Sequence, residues 1–245
     1  MKSVVIIPAR YNSSRLPGKP LVRLIDKPMI IWVAELSEVA VGKENVYVAT
    51  DDSVIADIVT QAGFNVIITS SDCLTGTDRV AEAANQIEAD IYINVQGDEP
   101  LVNPQDIIKI IKTKEKHYDD IINGYCQLEV NENPNNTNIP KVIFNQSKSL
   151  VYISRLAIPG FKNKNQVPKY YKQVCIYAFN LKELNTFVTF KEKTDIEKSE
   201  DIEITRFFET SINIRMVETS LGSAAVDVPK DVLKVENELI KRNNV

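Results

Sequence analysis

The run Pro8-Ala9-Arg10-Tyr11-Asn12-Ser13-Ser14-Arg15-Leu16-Pro17-Gly18-Lys19-Pro20 sets three cations and two serines directly behind a short apolar segment. Like charges so close repel one another unless an anion sits among them. A triphosphate carries enough charge to engage the two guanidinium forks of Arg10 and Arg15 and the ammonium of Lys19 together. A solvated loop of ordinary Lys and Arg is the alternative. Gly18 is the only glycine in the run, so it is neither a GxGxxG fingerprint nor a Walker loop.

A second run, Gln96-Gly97-Asp98-Glu99-Pro100, carries a carboxylate that could hold Mg²⁺, an ion that takes one or two carboxylates together with phosphate oxygens and water. Gly97 would let the backbone come close to a ligand. The same segment also reads as an acidic turn capping a helix that begins near Pro104. Asp227, between Ala225-Val226 and Val228-Pro229, is either a helix cap or a ligand, and the sequence by itself favours the cap. Ser70 to Arg79 supplies hydroxyl and backbone groups suited to a nucleobase edge, although helix capping by Thr77 or Asp78 explains part of it equally well. Glu197, Glu200, Glu203 and Arg206 recur every three residues, which predicts neighbours on one helical face, more simply a solvated salt-bridge face than a site.

Other chemistries have little to work with. His117 is the one histidine and lies in the polar run Lys112–Asp120, which leaves no Ser-His-Asp arrangement and no His-rich metal site. Cys73, Cys126 and Cys175 are scattered, without the CxxC spacing of a zinc or redox site, and are expected to be neutral thiols in a reducing compartment. Catalysis then falls to carboxylates, Lys, Arg and a bound ion.

The elements that must position these groups follow from hydrophobic pattern. Val4–Ile7, Asn45–Thr50, Asn65–Thr69 and Asp90–Val95 are short continuous apolar runs rich in β-branched residues, as expected of strands buried on both faces. Helix-period segments lie between them at Pro28–Val41, Asp52–Ala62 and Thr77–Gln86. This rhythm predicts βαβ units and a parallel sheet with helices on both faces, in which ligands bind beyond the carboxyl ends of the strands. From about residue 120 to 180 the pattern becomes β-rich, with strands expected at Ile121–Leu128, Lys141–Phe144, Leu150–Ile153 and Gln173–Phe179. Helices are expected again at Leu181–Phe190 and Ser199–Thr210, a strand at Ile214–Glu218 and a terminal helix from Pro229.

The chain has 245 residues, 44% hydrophobic and 25% charged, and 29 Lys and Arg against 33 Asp and Glu give a net charge of −4. Such a composition argues against disorder and fibrous structure, and the absence of a basic block argues against a nucleic-acid binder. The apolar segment that ends at Pro8 is too short for a secretory signal or a membrane span, so a cytoplasmic protein without membrane partners is expected. A single α/β domain spanning 1–245, with a β-rich excursion at about 120–180, accounts for the pattern.

Taken together these segments resemble the 3-deoxy-manno-octulosonate (Kdo) cytidylyltransferase family. VVIIPARYNSSRLPGKPL, DKPMI, VYVATDD, TGTDR and INVQGDEPLV stand where that family has near-identical words. The likeness continues more thinly through Pro140-Lys141-Val142, Ile153-Ser154-Arg155 with Ile158-Pro159, and the acidic segment to Val226-Asp227. The resemblance implies a mononucleotide-binding fold of the glycosyltransferase-A kind and a homodimer formed through the β excursion. It also implies CTP and a 3-deoxy-ulosonic acid as substrates, Mg²⁺ as cofactor, and a product for lipopolysaccharide or capsule biosynthesis.

By the same resemblance Arg10, Arg15 and Lys19 bind and stabilise the triphosphate, with Pro8, Ala9 and Ser14 beside them, while Asp98 and Asp227 coordinate Mg²⁺. Gln96 and Arg155 place sugar and nucleotide, Thr75 and Gly76 lie by the cytosine, and Glu200 and Glu203 contact sugar hydroxyls. Gln173 and Tyr177 belong to the sugar region. There the family carries His, Leu or Val, Gly, an apolar residue and Tyr, where this chain has Gln173-Val174-Cys175-Ile176-Tyr177. A glycine-containing PGxGVDTP is replaced by Gly222-Ser223-Ala224-Ala225-Val226-Asp227-Val228-Pro229. Kdo is the first expectation, with an amino-Kdo, a nonulosonic acid or a non-catalytic nucleotide binder as alternatives.

Overall fold

The computed structural model describes residues 1–11, 16–163, 168–221, 225–226 and 228–243. The chain runs through β1 (Ser3–Ala9), the two-residue strands β2 (Arg23–Leu24) and β3 (Lys27–Pro28), α1 (Met29–Val41), β4 (Val46–Thr50), α2 (Ser53–Gln61), β5 (Asn65–Ile68), α3 (Gly76–Ala84), β6 (Ile91–Val95) and α4 (Pro104–Lys116). The β-rich part follows as β7 (Ile121–Gln127), β8 (Lys141–Phe144), β9 (Leu150–Ser154) and β10 (Tyr171–Phe179). After it come α5 (Leu181–Phe187), α6 (Asp195–Glu200), a 3₁₀ turn (Glu203–Glu209), β11 (Ile214–Glu218) and α7 (Pro229–Asn243).

The central sheet has the order β11-β7-β10-β6-β1-β4-β5. β5, β4, β1 and β6 are parallel neighbours and β11 is parallel to β7, whereas β10 runs antiparallel to both β6 and β7. The sheet is therefore mixed, and the expected parallel arrangement holds for its first half. β8 and β9 form an antiparallel pair attached to β10 through Lys172 and Lys141. From β1 the chain goes outward to β4 and β5 and then returns to β6 on β1's other side. Strand order thus reverses between β1 and β6, and the loops leaving their carboxyl ends diverge into a crevice.

Both faces of the sheet are covered, which is why its inner strands read as unbroken apolar runs. In β1, Val5, Ile7 and Ala9 pack with Ile30, Val33 and Ala34 of α1 and Ile107 and Ile110 of α4, while Val4 and Ile6 face Val80, Ala81 and Ala84 of α3. Val4, Val5, Ile6 and Ile7 are all fully buried. At roughly 1.5–3 kcal/mol for each large side chain, these contacts are the main attachment of the layers. α2 is capped by Asp52, which accepts from the Ile55 N–H, and α4 by Asn103, which accepts from that of Gln105.

Two helical expectations need correction. The segment expected to be one helix at Ser199–Thr210 breaks at Asp201, a left-handed residue with φ 50°, into α6 and the 3₁₀ turn. Glu197 of α6 and Arg206 of the turn are fully buried, so the stripe is not a solvated face. Arg206 also pairs with Asp78 of α3, 128 residues away, a contact that local spacing cannot reveal. The helix expected to run to Phe190 ends at Phe187. Among the described residues no helix is long and apolar enough to cross a membrane.

A second buried pair ties α4 to α5. Lys114 Nζ donates at 2.7 Å to both oxygens of Glu183, which also closes the capping box of α5 with Asn180. Burial pulls Lys114 below its ordinary pKa and pushes Glu183 above its own, in each case against the attraction of the partner. Lys114→Met should therefore cost about 3–5 kcal/mol at neutral pH, because it leaves a buried carboxylate without its cation. With the lysine gone, the folded carboxyl titrates above the unfolded one. Its protonated form is stable at low pH, and stability is lost as pH rises through the folded pKa. Urea unfolding should show a smaller loss near about pH 5 than near about pH 8. An equal loss at both would contradict this account.

Candidate active site

The crevice between the carboxyl ends of β1 and β6 opens into a cleft of about 520 Å³. Pro8, Ala9 and Arg10 come from the end of β1, Lys19 from the turn that follows, and Gln96, Gly97, Asp98 and Glu99 from the end of β6. Gly18 has φ 66°, donates its N–H to the Tyr11 carbonyl and accepts from that of Leu21, so the loop closes on itself at its single glycine. A Cβ at Gly97 would lie 3.0 Å from the Pro8 carbonyl oxygen, so glycine there lets the β6 loop lie against β1.

Lys19 Nζ and Asp98 Oδ2 meet at 2.5 Å across that contact. Asp98 is thus engaged with the first loop, and the capping reading is set aside because Asn103 caps α4. Ser14, Arg15 and Asp227 lie outside the described residues. Among the described residues no three His, Cys, Asp or Glu side chains gather into a metal cage. Mg²⁺ does not need one. Asp98 supplies a hard carboxylate oxygen beside cations that could hold phosphate, and this donor set suits Mg²⁺ bound jointly with a polyphosphate.

The opposite wall is the amino-terminal turn of α3. Thr75 is its cap, not Thr77 or Asp78: its hydroxyl oxygen accepts from the Asp78 N–H and donates to Asp78 Oδ2 at 2.6 Å. Gly76 packs closely, since a Cβ there would lie 3.3 Å from the Gln96 amide and 3.4 Å from Glu203 Oε1. Glu203 lines the cleft but spends its carboxylate on this turn, accepting from the N–H groups of Gly76 and Thr77 and from the Thr77 hydroxyl. Sequence reasoning missed Arg79, which also lines the cleft. Its guanidinium reaches Thr69 Oγ1 at 2.5 Å and Asp51 at 3.2 Å. The only signal was its place in TGTDR.

The remaining wall comes from the β-rich part. Arg155 lines it, but its guanidinium donates to the carbonyls of Glu200, Thr137 and Asp201. Glu200 is not brought to the cleft: it accepts from Ser154 Oγ at 2.6 Å and from the Arg155 N–H at 2.8 Å, fixing the end of β9. Gln173 and Tyr177 do line the cleft, flanking a bulge in β10 between Val174 and Tyr177. Gln173 Nε2 donates to Asn123 Oδ1 at 3.0 Å, and the Asn123 amide in turn holds the bulge carbonyls of Val174 and Ile176.

Lys172, Lys193, Lys230 and Lys234 also line the cleft, without any motif to announce them. Cys73 and Cys175 line it as well. Burial, with a hydrogen bond to Glu82, pushes the Cys73 thiol up to about 12, and burial raises Cys126 to about 11 and Cys175 well above its usual value. Neutral thiols, not nucleophiles, face the cleft.

This arrangement can receive a polyanion at the β1 loop with a divalent cation at Asp98, and a second, polar molecule against β10. Inorganic triphosphate with Mg²⁺ should bind, and Lys19→Met should weaken binding by about tenfold, an effect that shrinks as salt is raised. Calorimetry at two ionic strengths checks this, and unchanged affinity would remove Lys19 from the role.

Comparison with known proteins identifies relatives over nearly the whole chain. The model of a family described as Cytidylyltransferase matches residues 4–214. The chain is 36% identical over 234 residues to the 3-deoxy-manno-octulosonate cytidylyltransferase of Escherichia coli, covering 96% of this chain and 94% of that one. It is 35% identical over 246 residues to the 8-amino-3,8-dideoxy-manno-octulosonate cytidylyltransferase of Shewanella halifaxensis, covering 98% and 99%. A solved structure of CMP:2-keto-3-deoxy-manno-octonic acid synthetase complexed with CTP matches with a TM-score of 0.91 at 34% identity, covering 99% of this chain and all of that one. The inositol-1-phosphate CTP transferase of T. maritima, with a TM-score of 0.69 at 15% identity over 98% and 96%, shares the fold. On the match over residues 4–214 and the full-length relatives, the chain belongs to the cytidylyltransferase family.

Proposed function

We propose that this cytidylyltransferase transfers CMP from CTP to the anomeric hydroxyl of Kdo. The observation that carries the reading is the convergence of Arg10, Lys19 and Asp98 on the β1/β6 crevice, with a polar wall on β10 facing them. The hydroxyl oxygen forms a bond to the α-phosphorus and gives up its proton to solvent, while the bond from that phosphorus to the α,β-bridging oxygen breaks and that oxygen leaves with pyrophosphate. Arg10, Arg15 and Lys19 would bind the phosphates and steady the charge that builds up on the leaving group. Positioning and charge neutralisation carry most of such a transfer, which suits a site without histidine. Asp98 and Asp227 would hold Mg²⁺, which would supply further neutralisation of phosphate charge.

Gln96, against Gly76, stands between the base region at Thr75 and Gly76 and the sugar region at Gln173 and Tyr177. Kdo is favoured over its 8-amino analogue by the charges of the sugar wall. Glu132 is matched by Lys172 at 2.5 Å, Asp201 by Lys193 at 3.1 Å, and Glu203 by the α3 turn. An ammonium on the sugar would compete with those lysines. The 8-amino analogue is the second reading, supported by the relative that bears its name. A homodimer would use the excursion, where Val151, Leu156 and Phe161 are exposed.

Pyrophosphate release with CTP and each sugar tests the reading. The expected result is a kcat/KM for Kdo at least about tenfold above that for the 8-amino sugar, with Gln173→His changing the ratio by a few-fold at most. Preference for the amino sugar would favour the second reading, and no release with either would overturn the proposal. Asp98→Asn should lower turnover by about a hundredfold or more with little change in melting temperature. Near-parental turnover would leave Asp98 only a loop contact.

A further inference from the structure

Behind the α3 turn lies a charged cluster, Asp78, Glu197 and Arg206, none of which itself lines the cleft. Arg206 is fully buried, and its guanidinium spans two carboxylates: Asp78 at 2.8 and 3.2 Å and Glu197 at 2.7 and 2.8 Å. The ring of Phe187 lies 3.8 Å beneath it. Asp78 passes this restraint forward, because its Oδ2 also accepts from the hydroxyl of Thr75. Three residues before Arg206, Glu203 holds the N–H groups of Gly76 and Thr77. The segment that breaks at Asp201 thus grips the α3 turn twice, from behind through Asp78 and from the front through Glu203.

Two carboxylates around one buried guanidinium are costly to assemble and poor evidence of added stability. What the arrangement does fix is direction. A forked cation that engages both oxygens of Asp78 leaves that carboxylate one orientation, and with it one orientation for the Thr75 hydroxyl. A lysine would neutralise the same charges as a point and leave Asp78 free to turn.

We infer that Arg206 is a positioning residue for the nucleotide, holding Thr75 and Gly76 through Asp78 so that the wall of the cleft fits cytosine. This rests on the reading that CTP binds there. Arg206 touches no substrate, and its removal acts on base recognition instead of on phosphate or sugar.

The test is CTP and UTP affinity, measured by calorimetry on the full chain, for the parent, Arg206→Lys, Asp78→Asn and Glu197→Gln, with melting temperatures alongside. Glu197→Gln perturbs the same buried cluster on the side away from the cleft. Arg206→Lys and Asp78→Asn are expected to weaken CTP about tenfold and to narrow the CTP to UTP preference. Glu197→Gln is expected to lower the melting temperature comparably while holding CTP affinity within about twofold of the parent. If CTP affinity follows melting temperature alike in all three variants, or if Arg206→Lys keeps the parental preference for CTP, the cluster is only structural and the inference fails. A parent that binds no CTP would overturn the nucleotide reading itself, whereas a parent that binds CTP with indifferent variants overturns this inference alone.

Discussion

Lys19 Nζ and Asp98 Oδ2 meet at 2.5 Å where strand order reverses between β1 and β6, and the placement of the other cleft residues depends on how closely those two loops approach. With side chains 14% and 29% exposed, the pair sits partly in water, where ion pairs contribute on the order of 0–1 kcal/mol. Its value is geometric. It brings the cation proposed to bind phosphate and the carboxylate proposed to hold Mg²⁺ side by side, and both come from loops whose strands are locked by fully buried side chains such as Ile6, Ile7, Ile93 and Val95. The rigid part of the molecule is the sheet, and the chemistry hangs from its carboxyl edge.

The rest of the cleft is braced by polar groups whose hydrogen bonds go to the protein itself. Glu200 secures β9 and the backbone of Arg155, Glu203 secures α3, and Asn123 secures the β10 bulge below Gln173. Each brace satisfies backbone N–H or carbonyl groups that would otherwise be left without partners in a recess. The division of labour is consistent: acidic side chains on the segment Asp195–Glu209 orient loops, while the cations and Asp98 face inward. Positioning, not an activated nucleophile, is what the fold provides.

Much of this was legible in the sequence, for definable reasons. β1, β4 and β6 stand out because both their faces are buried, and their ends locate the functional loops. The reversed direction of β10 left no trace, since an apolar run looks the same in either sense. Glu197, Glu200, Glu203 and Arg206 fit a solvated helix by spacing alone. Their partners Asp78, Ser154 and Gly76 lie between 46 and 128 residues away in sequence, beyond any local pattern. Arg79 and Lys172 escaped for a similar reason. Their exposure to the cleft depends on how α3 and β10 are rotated against β6, which tertiary packing decides.

The proposed chemistry requires the β1/β6 crevice to bind nucleotide triphosphate and divalent cation as one unit through Asp98. Calorimetric titration of CTP with Mg²⁺ and with chelator, on the parent and on Asp98→Asn, measures that coupling directly. Mg²⁺ is expected to tighten CTP binding about tenfold or more in the parent and by no more than about twofold in the variant. Equal tightening in both proteins would contradict it.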